Sequence, residues 1–101
     1  MIREKIPVVE LLAGLAEECA ELAQASLKLR RVFDKTNPTP MKEEDAIDRF
    51  LEEIADVELY LEQISYSKQE VNRIKGVKRE RWEKRLENSA LCDSRKEERG
   101  T

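Results

Sequence analysis

The sequence predicts an all-α fold, a helical bundle of two long antiparallel helices and a third, basic helix. Apolar residues recur at steps of three and four over two long stretches, which is the signature of amphipathic helices. The composition, 40% apolar and 41% charged, suits helices with solvated outer faces. The 101 residues make one small domain. We expect residues 1–88 to form it and residues 89–101 to be a polar C-terminal tail.

The first long helix is expected to begin near Pro7, since proline suits a first helical position, where its missing N–H is not needed. Its apolar stripe comprises Leu12, Leu15, Cys19, Leu22, Ser26, Leu29 and Phe33. Cys19 is therefore interpreted as a buried thiol. At about 100° per residue, one shoulder of this stripe carries Glu18, Glu21, Ala25 and Lys28.

The second helix is expected to begin between residues 42 and 45, after a break at Asn37-Pro38-Thr39-Pro40. Two prolines push the residues before them out of the helical region, and acidic residues suit the positive end of the next helix dipole. The apolar face comprises Ile47, Phe50, Leu51, Ile54, Val57, Leu61 and Ile64, with Glu58 near its middle. The neighbouring strip carries Glu53, Asp56 and Tyr60.

The third helix is predicted over about residues 68–88, with Ser67 as its N-cap. Its apolar stripe is weaker and comprises Val71, Ile74, Val77 or Lys78, Trp82 and Leu86. The segment is basic, because its acidic residues are outnumbered by Arg73, Lys75, Lys78, Arg79, Arg81, Lys84 and Arg85. Three helices of this length leave apolar faces uncovered, and a chain of this size buries only about 60–65% of its unfolded surface. We therefore expect a homodimer or homotetramer.

Composition removes several classes of function. The net charge of −3 does not call for a nucleic-acid partner. No apolar run or N-terminal leader predicts a membrane span or secretion, so the expected location is the cytoplasm. The sequence has no histidine, which excludes His-based nucleophile pairs, ordinary zinc sites and Glu-x-x-His di-iron sites. The candidate sites that remain are built from carboxylates alone.

Two acidic pairs carry that chemistry. Glu18 and Glu21 are three residues apart, as are Glu53 and Asp56, so each pair can hold a cation between neighbouring side chains. If the two helices pack together, four carboxylates converge, a ligand set that suits Mg²⁺ or Mn²⁺. Such pairs are also common on solvated helix faces. The basic helix alone is equally consistent with a solvated face, and Trp82 with a core residue.

The two acidic motifs, Glu-Glu-x-x-Glu at residues 17–21 and Glu-x-x-Asp at residues 53–56, resemble those of the MazG-like all-α nucleoside triphosphate pyrophosphohydrolases. The residues 18–28, the linker 37–40 and the pattern Lys-x-x-Arg-Trp-x-x-Arg-Leu at 78–86 extend the similarity to short, phage-type members, over roughly residues 5–88. The gap between Glu21 and Glu53 is on the long side for that family.

The resemblance implies Mg²⁺-dependent hydrolysis of a (deoxy)nucleoside triphosphate to the monophosphate and pyrophosphate, as in nucleotide-pool house-cleaning. It implies metal ligation by Glu18, Glu21, Glu53 and Asp56, with Glu17 or Glu18 orienting the attacking water. The candidate substrate contacts are Lys28, Lys78, Arg81, Trp82 and Arg85. The alternative is a non-enzymatic helical scaffold whose acidic and basic helices pair between subunits. No residue set predicts the preferred base.

Overall fold

Four helices account for nearly the whole chain in a computed structural model, which describes the backbone of residues 1–100 and the side chains of residues 1–89. The helices are α1 (Ile2–Lys5), α2 (Val8–Phe33), α3 (Glu43–Gln63) and α4 (Lys68–Gly100). The described residues contain no strand, so the predicted all-α class is confirmed. The chain divides into two compact units, Met1–Ser65 and Tyr66–Thr101.

Helix α2 begins and ends where the local sequence directs it. Pro7 is the N-cap rather than the first helical residue, and its carbonyl accepts hydrogen bonds from the backbone N–H groups of Glu10 and Leu11 at 3.0 and 3.1 Å. At the other end the Thr36 N–H donates to the Arg31 carbonyl at 2.9 Å, and Lys35 has a left-handed φ of 62°. This is the Schellman pattern that stops a helix, here built on a lysine instead of the usual glycine.

Helices α2 and α3 form an antiparallel hairpin. Gly14 of α2 faces Tyr60 of α3. Glu21, two turns further along α2, pairs with Arg49, which comes before Tyr60 on α3, so the two helices run in opposite directions. Helix α3 starts at Glu43, as predicted, and its first turn carries three acidic residues that complement the positive end of the helix dipole. Among the described residues, no helix combines the length and the apolar character that a membrane span needs.

The buried face of α2 is rotated from the predicted stripe. Leu11, Gly14, Ala25 and Leu29 are buried, whereas Leu12 and Phe33 are 50% and 54% exposed. Cys19 is also exposed, so the interpretation as a buried thiol is wrong. Of the predicted stripe, Leu29 is buried as expected. Two small residues, Gly14 and Ala25, share the buried face with two leucines and permit a close approach of the helices.

In α3, too, the buried residues differ from the predicted apolar face, although to a smaller degree. Its two buried residues are Ala46 and Glu53. Most of the predicted apolar face is half-buried, while Leu51 is 55% exposed. Glu58 is exposed and therefore lies outside the packed face. A buried glutamate at the centre of the hairpin is the feature that the apolar pattern could not reveal.

Gly14 of α2 packs against the ring of Tyr60 on α3. A Cβ atom placed on Gly14 would lie 2.5 Å from Cζ and 2.6 Å from the hydroxyl oxygen of Tyr60. The absence of a side chain therefore makes room for the aromatic ring. Glu18 is one turn further along α2, and Asp56 is one turn earlier on α3. The contact thus sets the register that brings these two acids together.

Helix α4 has the predicted N-cap, because the Glu70 N–H donates to Ser67 Oγ at 3.1 Å. It continues to Gly100, past the predicted end near Asn88, and residues 89–99 contain no proline or glycine to stop it. Thr101 lies outside the described residues. Every described side chain of α4 is exposed, including that of Trp82 at 63%.

Candidate metal centre

Three carboxylates from two helices converge near the middle of the α2–α3 hairpin. One ligand oxygen each from Glu18, Glu53 and Asp56 lies within 4.8 Å of the others. Glu53 is 5% exposed, Glu18 is half-buried and Asp56 is exposed. The cluster therefore runs from the helix interface to the surface, and an ion from solvent can reach it.

The electrostatics of the cluster favour a cation. Burial raises the pKa of the Glu18 carboxyl above its ordinary value, and the negative charges of Asp56, Glu53 and Glu21 raise it further. A hydrogen bond between the Glu18 and Asp56 carboxyls acts in the same direction. The repulsion among the acids is therefore relieved either by a proton or by a bound cation. A divalent ion would supply positive charge and would compete with protons for the carboxylate oxygens.

Arg49 is a member of this region that sequence reasoning missed. Its Nε lies 3.0 Å from Glu53 Oε1, and its Nη2 lies 3.6 Å from Glu21 Oε2. The pair with Glu53 spans four residues on α3, and the pair with Glu21 crosses to α2. The i,i+4 spacing of Arg49 and Glu53 was visible in the sequence and indicates such a contact. Glu21, the fourth predicted ligand, is thus held by Arg49 and does not belong to the group of three converging carboxylates.

The three carboxylates fit a hard divalent ion. Mg²⁺ takes oxygen ligands at about 2.0–2.1 Å, so two ligands on opposite sides of it are about 4.2 Å apart. The three carboxylate oxygens lie within 4.8 Å of one another, which is comparable with that distance. Mg²⁺ commonly keeps several waters and needs few protein ligands, so three carboxylates suffice.

The remaining predicted residues lie in separate places. Glu17 is exposed. Lys28 lines a cavity of about 300 Å³ together with Arg49, Glu21, Gln24, Ala25 and Met41. On α4, a surface recess of about 510 Å³ is lined by Lys78, Arg81, Lys84 and Arg85. The predicted basic face of α4 therefore exists as one surface, and Lys84 belongs to it. Contact between this surface and a substrate stays a prediction.

Comparisons of the chain with known protein families, characterised proteins and solved structures return no significant match. The MazG-like assignment therefore remains a prediction that rests on the sequence motifs.

Proposed function

We propose that the protein hydrolyses (deoxy)nucleoside triphosphates to monophosphate and pyrophosphate in a Mg²⁺-dependent reaction that serves nucleotide-pool house-cleaning. The observation that supports this most is the convergence of Glu18, Glu53 and Asp56 from two packed helices. The raised pKa of the Glu18 carboxyl adds to it, because perturbed carboxylates cluster at functional sites. The MazG-like motifs supply the reaction class.

The roles of the acids follow from their burial. A Mg²⁺ or Mn²⁺ ion bound by the cluster would neutralise phosphate charge and lower the pKa of a bound water. Glu18 faces the other acids from α2, and a carboxylate of raised pKa is the better proton acceptor near neutral pH. Glu18 is therefore the stronger of the two candidates for orienting the attacking water, and the exposed Glu17 is the weaker.

Cationic side chains would carry the phosphate contacts. Lys28 lies on the wall of a cavity that also contains Glu21 and Arg49, beside the carboxylates. Lys78, Arg81 and Arg85 form one basic surface on α4, and the exposed Trp82 offers a ring for stacking on a base. In this proposal the basic surface closes over the triphosphate when substrate binds.

Release of pyrophosphate from a panel of nucleoside triphosphates, with and without Mg²⁺, tests the proposal. The matched control is a Glu53→Gln, Asp56→Asn variant, which keeps side-chain size and removes two charges. We expect Mg²⁺-dependent release by the wild-type protein and none by the variant. Equal rates in both proteins, or no release from any nucleotide, would contradict the proposal.

A helical scaffold is the second candidate, and the exposed apolar residues favour it. Large apolar side chains that are at least half exposed include Val8, Val9, Leu12, Leu27, Phe33, Leu51, Trp82 and Leu86. Where such residues form a contiguous patch, the patch is typical of surfaces that bind another protein. A homodimer or homotetramer would cover it in either function. The scaffold alone predicts that Arg81→Ala weakens subunit association and that nucleotide has no effect.

A further inference from the structure

The Arg49 guanidinium lies between the carboxylate cluster and a neighbouring cavity. On one side it pairs with Glu53, a member of the cluster, at 3.0 Å. On the other side Arg49 lines the cavity of about 300 Å³ that Lys28 also lines. Two cationic side chains therefore share one cavity beside a candidate metal centre.

Arg49 pairs with one exposed and one buried carboxylate. Its side chain is 53% exposed, and the pair with Glu21, which is 46% exposed, is long at 3.6 Å and contributes little to stability. The Glu53 side chain is 7% exposed, so Arg49 leaves it only when another cation takes its place. A guanidinium also binds a phosphate group with two parallel hydrogen bonds, which an ammonium cannot do. Movement of Arg49 from a carboxylate to a phosphate therefore exchanges one charge-assisted contact for another.

We propose that Arg49 and Lys28 form an anion subsite for the phosphate chain of the substrate, and that Arg49 leaves Glu21 and Glu53 when it binds that anion. The substrate class rests on the proposed function, whereas the subsite rests on the cavity and its two cations. Gln24, on the same wall, supplies an amide donor to the bound oxygens.

The exchange couples the anion to the metal. While Arg49 holds Glu21 and Glu53, its positive charge competes with a divalent ion for the same oxygens. When Arg49 binds a phosphate instead, it no longer pairs with Glu21 and Glu53, and Glu21 becomes available as the fourth metal ligand. Glu21 also lies on the cavity wall, where its charge repels an anion until a cation neutralises it. Each ligand therefore strengthens binding of the other, and this coupling is reciprocal.

Calorimetric titration with inorganic pyrophosphate and, separately, with Mg²⁺ tests the subsite without any measurement of activity. The proteins are the wild type, Arg49→Met, Arg49→Lys and Lys28→Met, with Lys5→Met as a control of equal charge change on α1. With Mg²⁺ in excess, we expect Arg49→Met to weaken pyrophosphate binding about ten- to hundred-fold, as loss of a hydrogen bond to a charged group does. Lys28→Met should weaken it less, Arg49→Lys should be intermediate, and Lys5→Met should match the wild type.

The Mg²⁺ titration separates the subsite from a merely structural ion pair. With Mg²⁺ alone, Arg49→Met should bind at least as tightly as the wild type, since a competing cation is gone. Weaker Mg²⁺ binding in that variant, or wild-type pyrophosphate affinity in both Arg49→Met and Lys28→Met, would overturn the inference. If the wild type binds no Mg²⁺ but binds pyrophosphate in an Arg49-dependent way, the proposed function fails and the subsite is supported. If Arg49→Met does not fold, Lys28→Met and Arg49→Lys decide the question on the same criteria.

Discussion

Substitution of Gly14 by alanine tests the contact that sets the register of the hairpin. The added Cβ would lie 2.5 Å from Cζ and 2.6 Å from the hydroxyl oxygen of Tyr60, so the ring must move. Van der Waals contact between such atoms is restored at about 3.5 Å, which requires a displacement of roughly 1 Å. Because Tyr60 is one turn from Asp56 and Gly14 is one turn from Glu18, that displacement also perturbs the carboxylate cluster.

The size of the effect is a balance of two terms. Overpacking of a filled contact costs about 1–3 kcal/mol. Alanine is favoured over glycine inside a helix by about 1 kcal/mol. Gly14→Ala should therefore destabilise the protein by up to about 2 kcal/mol. In a Tyr60→Leu background, which lacks the overlapping ring atoms, the same substitution should stabilise by about 1 kcal/mol. The coupling in this double-mutant cycle should then equal the overpacking cost, about 1–3 kcal/mol.

Urea denaturation of the four proteins in the cycle, followed by circular dichroism, measures these values. Gly76→Ala on α4 is the control, because a Cβ there meets nothing within 4 Å and should not destabilise. The change in melting temperature caused by Mg²⁺ should also be smaller in Gly14→Ala than in the wild type. A Gly14→Ala protein at least as stable as wild type, with no coupling to Tyr60, would refute the proposed packing.

Three further predictions concern charge. The raised pKa of the Glu18 carboxyl means that the metal-free native state binds more protons than the unfolded state between the ordinary value of 4.5 and the raised one. Stability should therefore fall as pH rises through that window, and melting curves of Glu18→Gln should lack this slope. Glu21→Gln should abolish hydrolysis. Because the pair of Glu21 with Arg49 is exposed, the metal-free stability of this variant should be higher than that of the wild type or within about 1 kcal/mol of it. A large loss of stability on chemical denaturation would indicate a structural ion pair instead. A non-hydrolysable triphosphate with Mg²⁺ should protect residues 74–86 from hydrogen exchange. If their protection is unchanged and Arg81→Ala causes the dimer to dissociate, the scaffold function is favoured.

Much of the fold was readable from local chemistry. The proline-containing break, the acidic start of α3 and the Ser67 cap are decided by residues close together in sequence, and all three features are present. The end of α4 was not predicted correctly, because a polar sequence without proline or glycine stays helical where a tail was expected. Local propensity therefore located the helix starts better than the last helix end.

The packed faces were harder to predict, since they depend on which side chains permit close approach. Periodicity correctly included Leu29, but it also selected the exposed Leu12 and Phe33 and left out the buried Gly14 and Ala25. Glu18 and Glu21 are half-buried, as their predicted shoulder position implied. Nothing in the periodicity of α3 indicated that Glu53 would be buried.

The candidate site was predicted in part. The three-residue spacing within each acidic pair was enough to indicate convergence, and Glu18, Glu53 and Asp56 do converge. Arg49 was not predicted, although it lies four residues before Glu53, a spacing at which opposite charges pair on a helix. Its pair with Glu21 is a contact between helices, and such contacts require the packing as well as the spacing.

The most direct test of the account is the effect of Mg²⁺ on thermal stability. An ion that binds only the native state raises the melting temperature by mass action, and the rise grows with ion concentration. We predict a concentration-dependent increase for the wild type and its loss in the Glu53→Gln, Asp56→Asn variant. Mn²⁺ should act in the same way, and Na⁺ at matched ionic strength controls for screening. An equal increase in both proteins, or no increase in the wild type, would contradict the assignment of Glu18, Glu53 and Asp56 as a metal centre.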